Sequence, residues 1–271
     1  LVLFSLITVG YSANALGGAG GPLAVLIIAI VAAELGKAVS KETKVDILVT
    51  PLVTIFAGVG LSMLIAAPIG AAASQVGTLI MWATEQAPLV MGILVSVIVG
   101  VALTLPISSA AICAALGLTG LAGGAAVAGC CAQMVGFAVM SYKENGVGGL
   151  VSQGLGTSML QMGNIIKNPR IWIAPTLASA ITGPLATCLF HFEMNGAAVS
   201  SGMGTCGLVG QIGVYTGWVS DIAAGTKAAI TPMDWVAMVL LCFVLPAVLS
   251  VVFCEVERKL GWIKEGDLKL N

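Results

Sequence analysis

The chemistry that this sequence could perform is concentrated in one short stretch, residues 191–196. It holds the single histidine of the chain, His191, together with the carboxylate of Glu193 and the amide of Asn195. The stretch lies between long apolar runs, where ionisable side chains are costly and usually face a cavity or a partner. In an extended segment His191 and Glu193 would share one face, whereas on a helix they would diverge by about 200°. The stretch predicts a polar binding site, unless both side chains lie among lipid headgroups and carry no function.

A glycine-rich segment follows at residues 200–211. Its run Gly202-Met203-Gly204-Thr205-Cys206-Gly207 fits the dinucleotide-binding pattern G-x-G-x-x-G, but no strand precedes it and no βαβ unit surrounds it. The glycines could instead allow a sharp turn that exposes backbone N–H groups to a polar ligand at the start of a half-helix. They could equally serve close helix packing through small residues. Under the first interpretation Ser201, Thr205 and Gln211 are candidate ligand-binding side chains.

Amide side chains around residue 164 form a third group. Gln161 and Asn164 precede the turn Asn168-Pro169-Arg170, and amides both donate and accept hydrogen bonds, as a hydroxyl-rich ligand such as a sugar requires. For residues 168–170 a plain cytoplasmic turn is the favoured interpretation, because X-Pro often initiates turns. The complete predicted substrate-binding set is Glu193, His191, Asn164, Asn195, Ser201, Thr205 and Gln211.

No self-contained catalytic motif accompanies these residues. Neither His191 nor Glu193 has a serine or cysteine nucleophile in a recognisable arrangement, so hydrolase chemistry is unsupported. The seven cysteines make no C-x-x-C pair, and we expect them to act as small hydrophobic residues. The sequence therefore predicts no catalytic residue, no metal site and no cofactor.

The composition indicates what kind of helices and what solvent surround these residues. Of 271 residues, 58% are hydrophobic and 8% are charged, with a mean hydropathy of +1.07, whereas soluble domains carry about 25% charged residues. An ordinary soluble enzyme is excluded, and a lipid bilayer is the expected solvent. The net charge of −1 argues against a nucleic-acid-binding surface, which needs clustered Lys and Arg. The 35 glycines and 10 prolines predict closely packed, repeatedly broken helices.

Eight apolar runs could cross a bilayer, which takes about 20 helical residues. They cover residues 1–15, 21–36, 46–68, 87–105, 119–141, 147–165, 171–190 and 233–254. Residues 70–86 suit a helix at the membrane interface, and residues 106–118 suit a half-helix. Residues 195–217 are too apolar for a water-exposed loop and too glycine-rich for a lipid-facing helix, so they predict a re-entrant hairpin packed on protein. The predicted fold class is an all-α polytopic membrane protein with about eight transmembrane helices, a re-entrant hairpin and broken half-helices.

The basic residues predict the orientation, because cytoplasmic loops carry an excess of Lys and Arg. If all eight runs cross, then residues 37–44, residues 167–170 and the C-terminal tail share the cytoplasmic side, while Lys143 and Lys227 lie outside. The chain opens at Leu1 within an apolar run and without Met, so we expect further residues upstream of it.

Three segments of the sequence resemble a known family. They are Asn168-Pro169-Arg170-Ile171-Trp172-Ile173-Ala174-Pro175-Thr176-Leu177-Ala178-Ser179-Ala180-Ile181, Gly202-Met203-Gly204-Thr205-Cys206-Gly207-Leu208-Val209-Gly210-Gln211 and Pro106-Ile107-Ser108-Ser109-Ala110-Ala111-Ile112. Together they resemble the phosphotransferase-system EIIC-like family (EIIC type 2) that includes the perfringolysin regulator. The resemblance implies a dimeric EIIC-like transporter fold in the bacterial inner membrane. A scaffold of residues 1–105 would carry a substrate domain of residues 106–254, followed by a cytoplasmic tail of residues 255–271.

The resemblance also implies a function. A protein of this kind binds a polar, carbohydrate-like solute and translocates it by alternating access, and any phosphoryl transfer needs separate EIIA and EIIB proteins. Sugar permeases of the system use a His and a Glu near their hairpins. His191 and Glu193 are the candidates here, although they do not align motif for motif. The alternative interpretation is an EIIC-like membrane sensor that binds a solute and signals to gene expression without transport.

Overall fold

The computed structural model describes residues 21–40 and 46–270, and the predicted span at residues 1–15 lies outside this range. The described chain is mainly helical and forms no strand, with one isolated antiparallel bridge between Gly120 and Met194. The predicted all-α class is therefore confirmed. The helices are α1 (Gly21–Val39), α2 (Asp46–Gln86), α3 (Pro88–Thr104), α4 (Ser109–Leu116), α5 (Gly120–Met140), α6 (Tyr142–Val151), α7 (Met162–Lys167), α8 (Ile173–Pro184), α9 (Val209–Ala223), α10 (Pro232–Val239) and α11 (Leu245–Lys259).

Four stretches of the described chain are long and apolar enough to cross a membrane. They are α2, α5, the stretch Pro169–Leu189 that contains α8, and the stretch Pro232–Lys259 that joins α10 to α11. These stretches agree with the predicted polytopic membrane fold. The polar residues of 70–86 predict a separate helix at the membrane interface, but helix α2 continues without a break through this segment, so no separate helix begins there.

The chain packs as two compact units. Among the described residues, the first comprises residues 21–40, 46–77 and 114–116, and the second comprises residues 78–113 and 117–270. In the first unit α1 packs on α2 through a small core of Ala24, Ile28 and Ala66. All seven predicted binding residues belong to the second unit.

Helix α5 is the centre of the second unit. It packs against α3, α8 and α11, and nearly all of its side chains are buried. Its first half consists mostly of Gly, Ala and Cys, and such small residues let neighbouring backbones approach closely in membrane proteins. At Gly129 the backbone of Ser96 from α3 occupies the space that a Cβ would need. Close backbone packing therefore holds this unit together, since apolar side chains are as well solvated by lipid as by each other.

Between α5 and α8, residues 141–168 form a broken segment that begins and ends at the same end of the unit. Near its start, Lys143 pairs with Glu255 of α11 at 3.0 Å. At its end, the Asn168 amide donates to the carbonyl oxygen of Trp262, just beyond α11, at 2.9 Å. We call this segment the first hairpin.

The first hairpin replaces the span predicted at residues 147–165, and that prediction is wrong. The predicted placement of Lys143 on the side opposite the C-terminal tail is also wrong, because Lys143 pairs with Glu255 at the start of that tail. The physical reason is that the helix breaks too often to cross. Gly146 adopts a positive φ of 59° within α6, and a π-helical turn at Ser152–Gly156 follows directly.

A second hairpin, residues 190–223, enters from the opposite end. Met194 pairs with Gly120 at the start of α5, and Gly204 then packs against Cys130, about halfway along α5. Gly204 has a φ of +53°, so the chain turns here and returns as α9. This path has the form predicted for the glycine-rich region, and α9 extends the return limb to Ala223.

The tips of the two hairpins meet beside the middle of α5. The hydroxyl of Thr205 donates to the carbonyl oxygen of Gly154 at 2.5 Å. The turn after α3 joins them, because the hydroxyl of Ser109 donates to the carbonyl oxygen of Gly202 at 2.6 Å. These contacts satisfy backbone groups that broken helices leave free at membrane depth.

The two ends of the second unit differ in charge. Basic residues gather at the end where α5 and α11 finish, namely Lys143, Lys167, Arg170, Arg258, Lys259, Lys264 and Lys269. Within this unit the opposite end carries one basic residue, Lys227. The predicted grouping of residues 167–170 with the C-terminal tail is therefore present in the fold.

Candidate functional site

A cavity of about 480 Å³ opens at the end of the second unit where α5 begins. Its walls come from the start of the second hairpin, the end of α9, the loop after α9 and helix α10. The lining residues are Phe190, His191, Phe192, Glu193, Asn195, Trp218, Asp221, Thr226, Lys227, Met233, Asp234 and Ala237. Its size lies within the range of about 300–1,000 Å³ typical of small-molecule pockets.

His191 and Glu193 reach the cavity because the chain becomes extended beyond the π-helical turn Leu185–Leu189 that follows α8. His191 has a φ of +43°, a left-handed conformation that His adopts more readily than most residues. Along the extended stretch Phe192 and Met194 are buried in the core, while His191 and Glu193 are exposed. This alternation places His191 and Glu193 on one face, as expected for an extended segment, and that face lines the cavity.

Asn195 connects the two limbs of the second hairpin. Its amide nitrogen donates to Glu193 Oε2 at 3.1 Å and to Asp221 Oδ2 at 2.9 Å. Its amide oxygen accepts from the backbone N–H of Gly120 at 3.2 Å. Asn195 therefore holds two carboxylates together at the cavity wall, and each carboxylate keeps lone pairs with which to accept from a ligand.

Elsewhere the cavity lining combines an ion pair with an aromatic side chain. Lys227 Nζ lies 2.8 Å from Asp234 Oδ1, and it lies 5.5 Å from the ring centroid of Trp218. Asp234 is fixed by a capping box with Thr231 at the start of α10. The cavity lining thus combines hydrogen-bond acceptors with a cation and an apolar ring, as ligand pockets commonly do.

Sequence reasoning missed four of these lining residues. Asp221 and Asp234 lie near the ends of apolar runs and resemble ordinary interfacial residues, Lys227 resembles a loop residue, and Trp218 resembles a packing residue. The pattern Thr231-Pro232-Met233-Asp234 does indicate a helix start. Nothing local indicates that this start lies against residues 191–195.

The remaining predicted residues of the second hairpin lie apart from the cavity. Ser201, Thr205 and Gln211 are all buried. The two hydroxyls donate to backbone carbonyl oxygens, and the Gln211 amide donates to a cysteine sulfur of α5. None of these three side chains lines the cavity, and the glycines between them pack against α5. The structure therefore favours packing through small residues as the role of this segment.

Asn164 also lies apart from the cavity, at the other end of the unit. Its amide donates to Gln161 Oε1 at 2.7 Å and to the carbonyl oxygen of Lys269 at 3.0 Å. The amide group predicted to bind a sugar is thus occupied by the C-terminal segment of the chain. Of the seven predicted residues, the cavity brings together His191, Glu193 and Asn195.

A second cavity, of about 400 Å³, lies where the hairpin tips and the turn after α3 meet. Its lining residues are Leu103, Pro106, Ile107, Ser108, Ser109, Ala110, Thr157, Met159, Met203 and Cys206. It contains no Asp, Glu, Lys, Arg or His, in contrast to the first cavity. Within the described residues no group of three or more His, Cys, Asp and Glu side chains could hold a metal ion.

Comparison with known proteins identifies the family. Neither the curated proteins nor the solved structures include a match to this chain. The sequence profile of the family described as "Phosphotransferase system, EIIC" matches residues 3–270, nearly the whole chain. The protein therefore belongs to the phosphotransferase system EIIC family, the sugar-permease-like membrane component of that transport system.

Proposed function

We propose that this protein binds a polar, hydroxyl-rich solute of the sugar class in the 480 Å³ cavity and translocates it by alternating access. The observation that carries the proposal is the position of Asn195, which holds the carboxylates of Glu193 and Asp221 together at the cavity wall. Two acceptors at fixed spacing suit neighbouring hydroxyl groups, and each charge-assisted hydrogen bond is worth about 1.5–3 kcal/mol. Lys227 would donate to a ligand oxygen, and Trp218 would contact the apolar face of the ligand.

The broken elements support transport as the use of this site. Transporters commonly bind their solutes where discontinuous segments meet, and they expose the site to each side in turn by moving one bundle against another. Here the second hairpin contributes a wall to the first cavity and its tip to the second cavity. Movement of this hairpin would open a path between the two cavities.

The orientation follows from the charges at the two ends. Because basic residues gather at the end where α11 finishes, we propose that this end is cytoplasmic in the bacterial inner membrane. The cavity with Glu193 would then face the outside. Separate EIIA and EIIB proteins would supply any phosphoryl group on the cytoplasmic side, and family membership suggests a homodimer as the working state.

The decisive test replaces Glu193 by Gln, which keeps the shape and removes the charge. Purified protein is screened against neutral sugars by thermal shift, since a ligand that binds the folded state raises the melting temperature. For the sugar that binds, Glu193→Gln should weaken affinity about tenfold or more, equivalent to about 1.4 kcal/mol. Glu265→Gln, at an exposed position of the C-terminal segment, is the matched control.

Uptake in proteoliposomes completes this test. Uptake of the bound sugar that falls in Glu193→Gln and persists in Glu265→Gln supports transport. Binding without uptake, in the presence of the phosphotransferase proteins, would favour the sensor alternative. Equal affinity of Glu193→Gln and the parent for the sugar would overturn the proposed site.

A further inference from the structure

The C-terminal segment, residues 261–270, lies in a groove of the first hairpin. Its main anchor is Leu268, which is completely buried, and Ile263 is 3% exposed. Both pack in one cluster with residues of α5, α7 and α11. The segment is therefore an integral part of the fold at this end of the second unit.

Side chains of the groove bind the backbone of this segment. Asn145 donates to the carbonyl oxygen of Leu268 at 2.8 Å and accepts from the N–H of Leu270 at 2.8 Å. Glu144 accepts from the N–H of Leu268 at 2.9 Å. Gln161 donates to the carbonyl oxygen of Leu268 at 3.0 Å. Hydrogen bonds to a peptide backbone, together with pockets for buried side chains, are the contacts by which peptide-binding sites hold their ligands.

Hydrogen bonds link these amides to the tip of the first hairpin. Gln161 also donates to Gln153 Oε1 at 2.9 Å, and Gln153 donates to the hydroxyl of Ser141 at 2.8 Å. Gly154, next in the chain, accepts from Thr205 on the second hairpin. An uninterrupted series of buried hydrogen bonds therefore runs from the C-terminal segment to the residue beside the tip contact. Buried networks of this kind are costly to leave partly satisfied.

We propose that this groove is a peptide-binding site whose occupant is the chain's own segment 262–270, and that its occupancy holds the tip of the first hairpin in contact with the second. The groove binds the backbone of Leu268 and Leu270 and buries the side chains of Ile263 and Leu268. Release of the segment leaves Asn145 and Gln161 without their backbone partners and loosens residues 141–161. Binding or release of the segment at the basic end of the unit thereby determines whether the contact between Thr205 and Gly154 forms.

Hydrogen–deuterium exchange of the full chain in detergent tests the coupling without any solute. Leu268→Asp places a charge in the anchor pocket, and it should speed amide exchange about tenfold or more in residues 262–270 and also in residues 141–161. Leu260→Asp makes the same chemical change at an exposed position outside the groove, and it should leave residues 141–161 at the parent rate. Fast exchange confined to residues 262–270 in Leu268→Asp would overturn the coupling.

A peptide added in trans tests whether the groove is a separable binding site. A synthetic peptide with the sequence of residues 260–270, added to the Leu268→Asp chain, should restore slow exchange in residues 141–161. The same peptide carrying Asp at the leucine position should not. Failure of the first peptide to restore protection would overturn the proposal of a peptide site. If Leu268→Asp does not fold, Gln161→Met is the second variant. It removes the hydrogen bonds from Gln161 to Leu268 and Gln153 and keeps the buried Leu268 side chain, and it should also speed exchange in residues 141–161.

Discussion

The hydroxyl of Thr205 lies 2.5 Å from the carbonyl oxygen of Gly154, although the two residues belong to hairpins that enter the second unit from opposite ends. Thr205 is completely buried, whereas Gly154 is partly buried. Loss of this hydrogen bond costs about 0.5–1.5 kcal/mol. This hydrogen bond therefore stabilises the contact between the two hairpins.

Replacement of Thr205 by Val should lower the free energy of unfolding by about 0.5–1.5 kcal/mol, because valine keeps the shape and removes the donor. Thermal unfolding in detergent measures the loss. Thr216→Val is the matched control, since Thr216 is exposed and its hydroxyl bonds within its own helix. Equal effects of the two substitutions would contradict a tie at the hairpin tips.

Asn195→Asp should weaken solute binding and lower the free energy of unfolding by about 2 kcal/mol. The change removes the N–H groups that bridge Glu193 and Asp221, and it adds a third negative charge beside them. The Gln86→Glu substitution makes the same amide-to-acid change at an exposed position and should be neutral. Unchanged stability and unchanged affinity in Asn195→Asp would show that the carboxylates do not depend on this amide.

Gly129→Ala should destabilise the protein by about 1–3 kcal/mol or prevent its folding, because the added Cβ would overlap the backbone of Ser96. Gly163→Ala is the matched control, since nothing lies within 4 Å of a Cβ built at that helical position. It should be neutral or stabilising by about 0.4–1 kcal/mol. Purified yield and melting temperature of the two variants measure the contrast.

The two ion pairs near the end of α11 should differ in strength. Arg258 pairs with Glu144 at 2.9 Å with side chains that are 17% and 10% exposed, whereas the Lys143–Glu255 pair is 74% and 46% exposed. Arg258→Met should therefore cost about 2–4 kcal/mol, because it leaves a largely buried carboxylate unpaired. Lys143→Met should cost much less, because water already solvates both partners of this exposed pair. A comparable loss in both variants, measured by thermal unfolding, would be inconsistent with this difference in burial.

The orientation can be checked with single cysteines. Among the native cysteines, Cys188 is exposed, Cys206 is partly exposed and the other five are buried, so the background carries Ser at positions 188 and 206. Ala224→Cys should react with a membrane-impermeant thiol reagent added outside intact cells. Lys264→Cys should react only after the membrane is opened. The reverse pattern would place the basic end outside.

Patterns local in sequence predicted the parts of the fold that depend on local chemistry. Continuous apolar runs predicted α5 and the long α10–α11 stretch, and glycine density predicted the second hairpin. The extended spacing of His191 and Glu193 predicted their common face. Each of these features is determined by residues within about one helical turn or one strand of each other.

Features that depend on distant partners could not be predicted in this way. The apolar run at residues 147–165 resembles a span, but its amides find partners in the C-terminal segment, as Asn164 does with Lys269 105 residues later. In the sequence Asp221 resembles an interfacial residue, but in the fold α9 places it beside Asn195. Long-range pairing of this kind is not encoded in hydropathy.

The docked C-terminal segment also sets an order of events during synthesis. Leu268 follows Asn145, its partner in the groove, by 123 residues. At ribosomal rates of about 5–20 residues per second, Leu268 emerges roughly 6–25 s after Asn145. Until then the amide of Asn145, and those of Gln161 and Asn164 once they are synthesised, lack the backbone that later pairs with them. Insertion of the helices of this unit therefore precedes completion of its fold, because the groove closes only after residues 262–270 leave the ribosome.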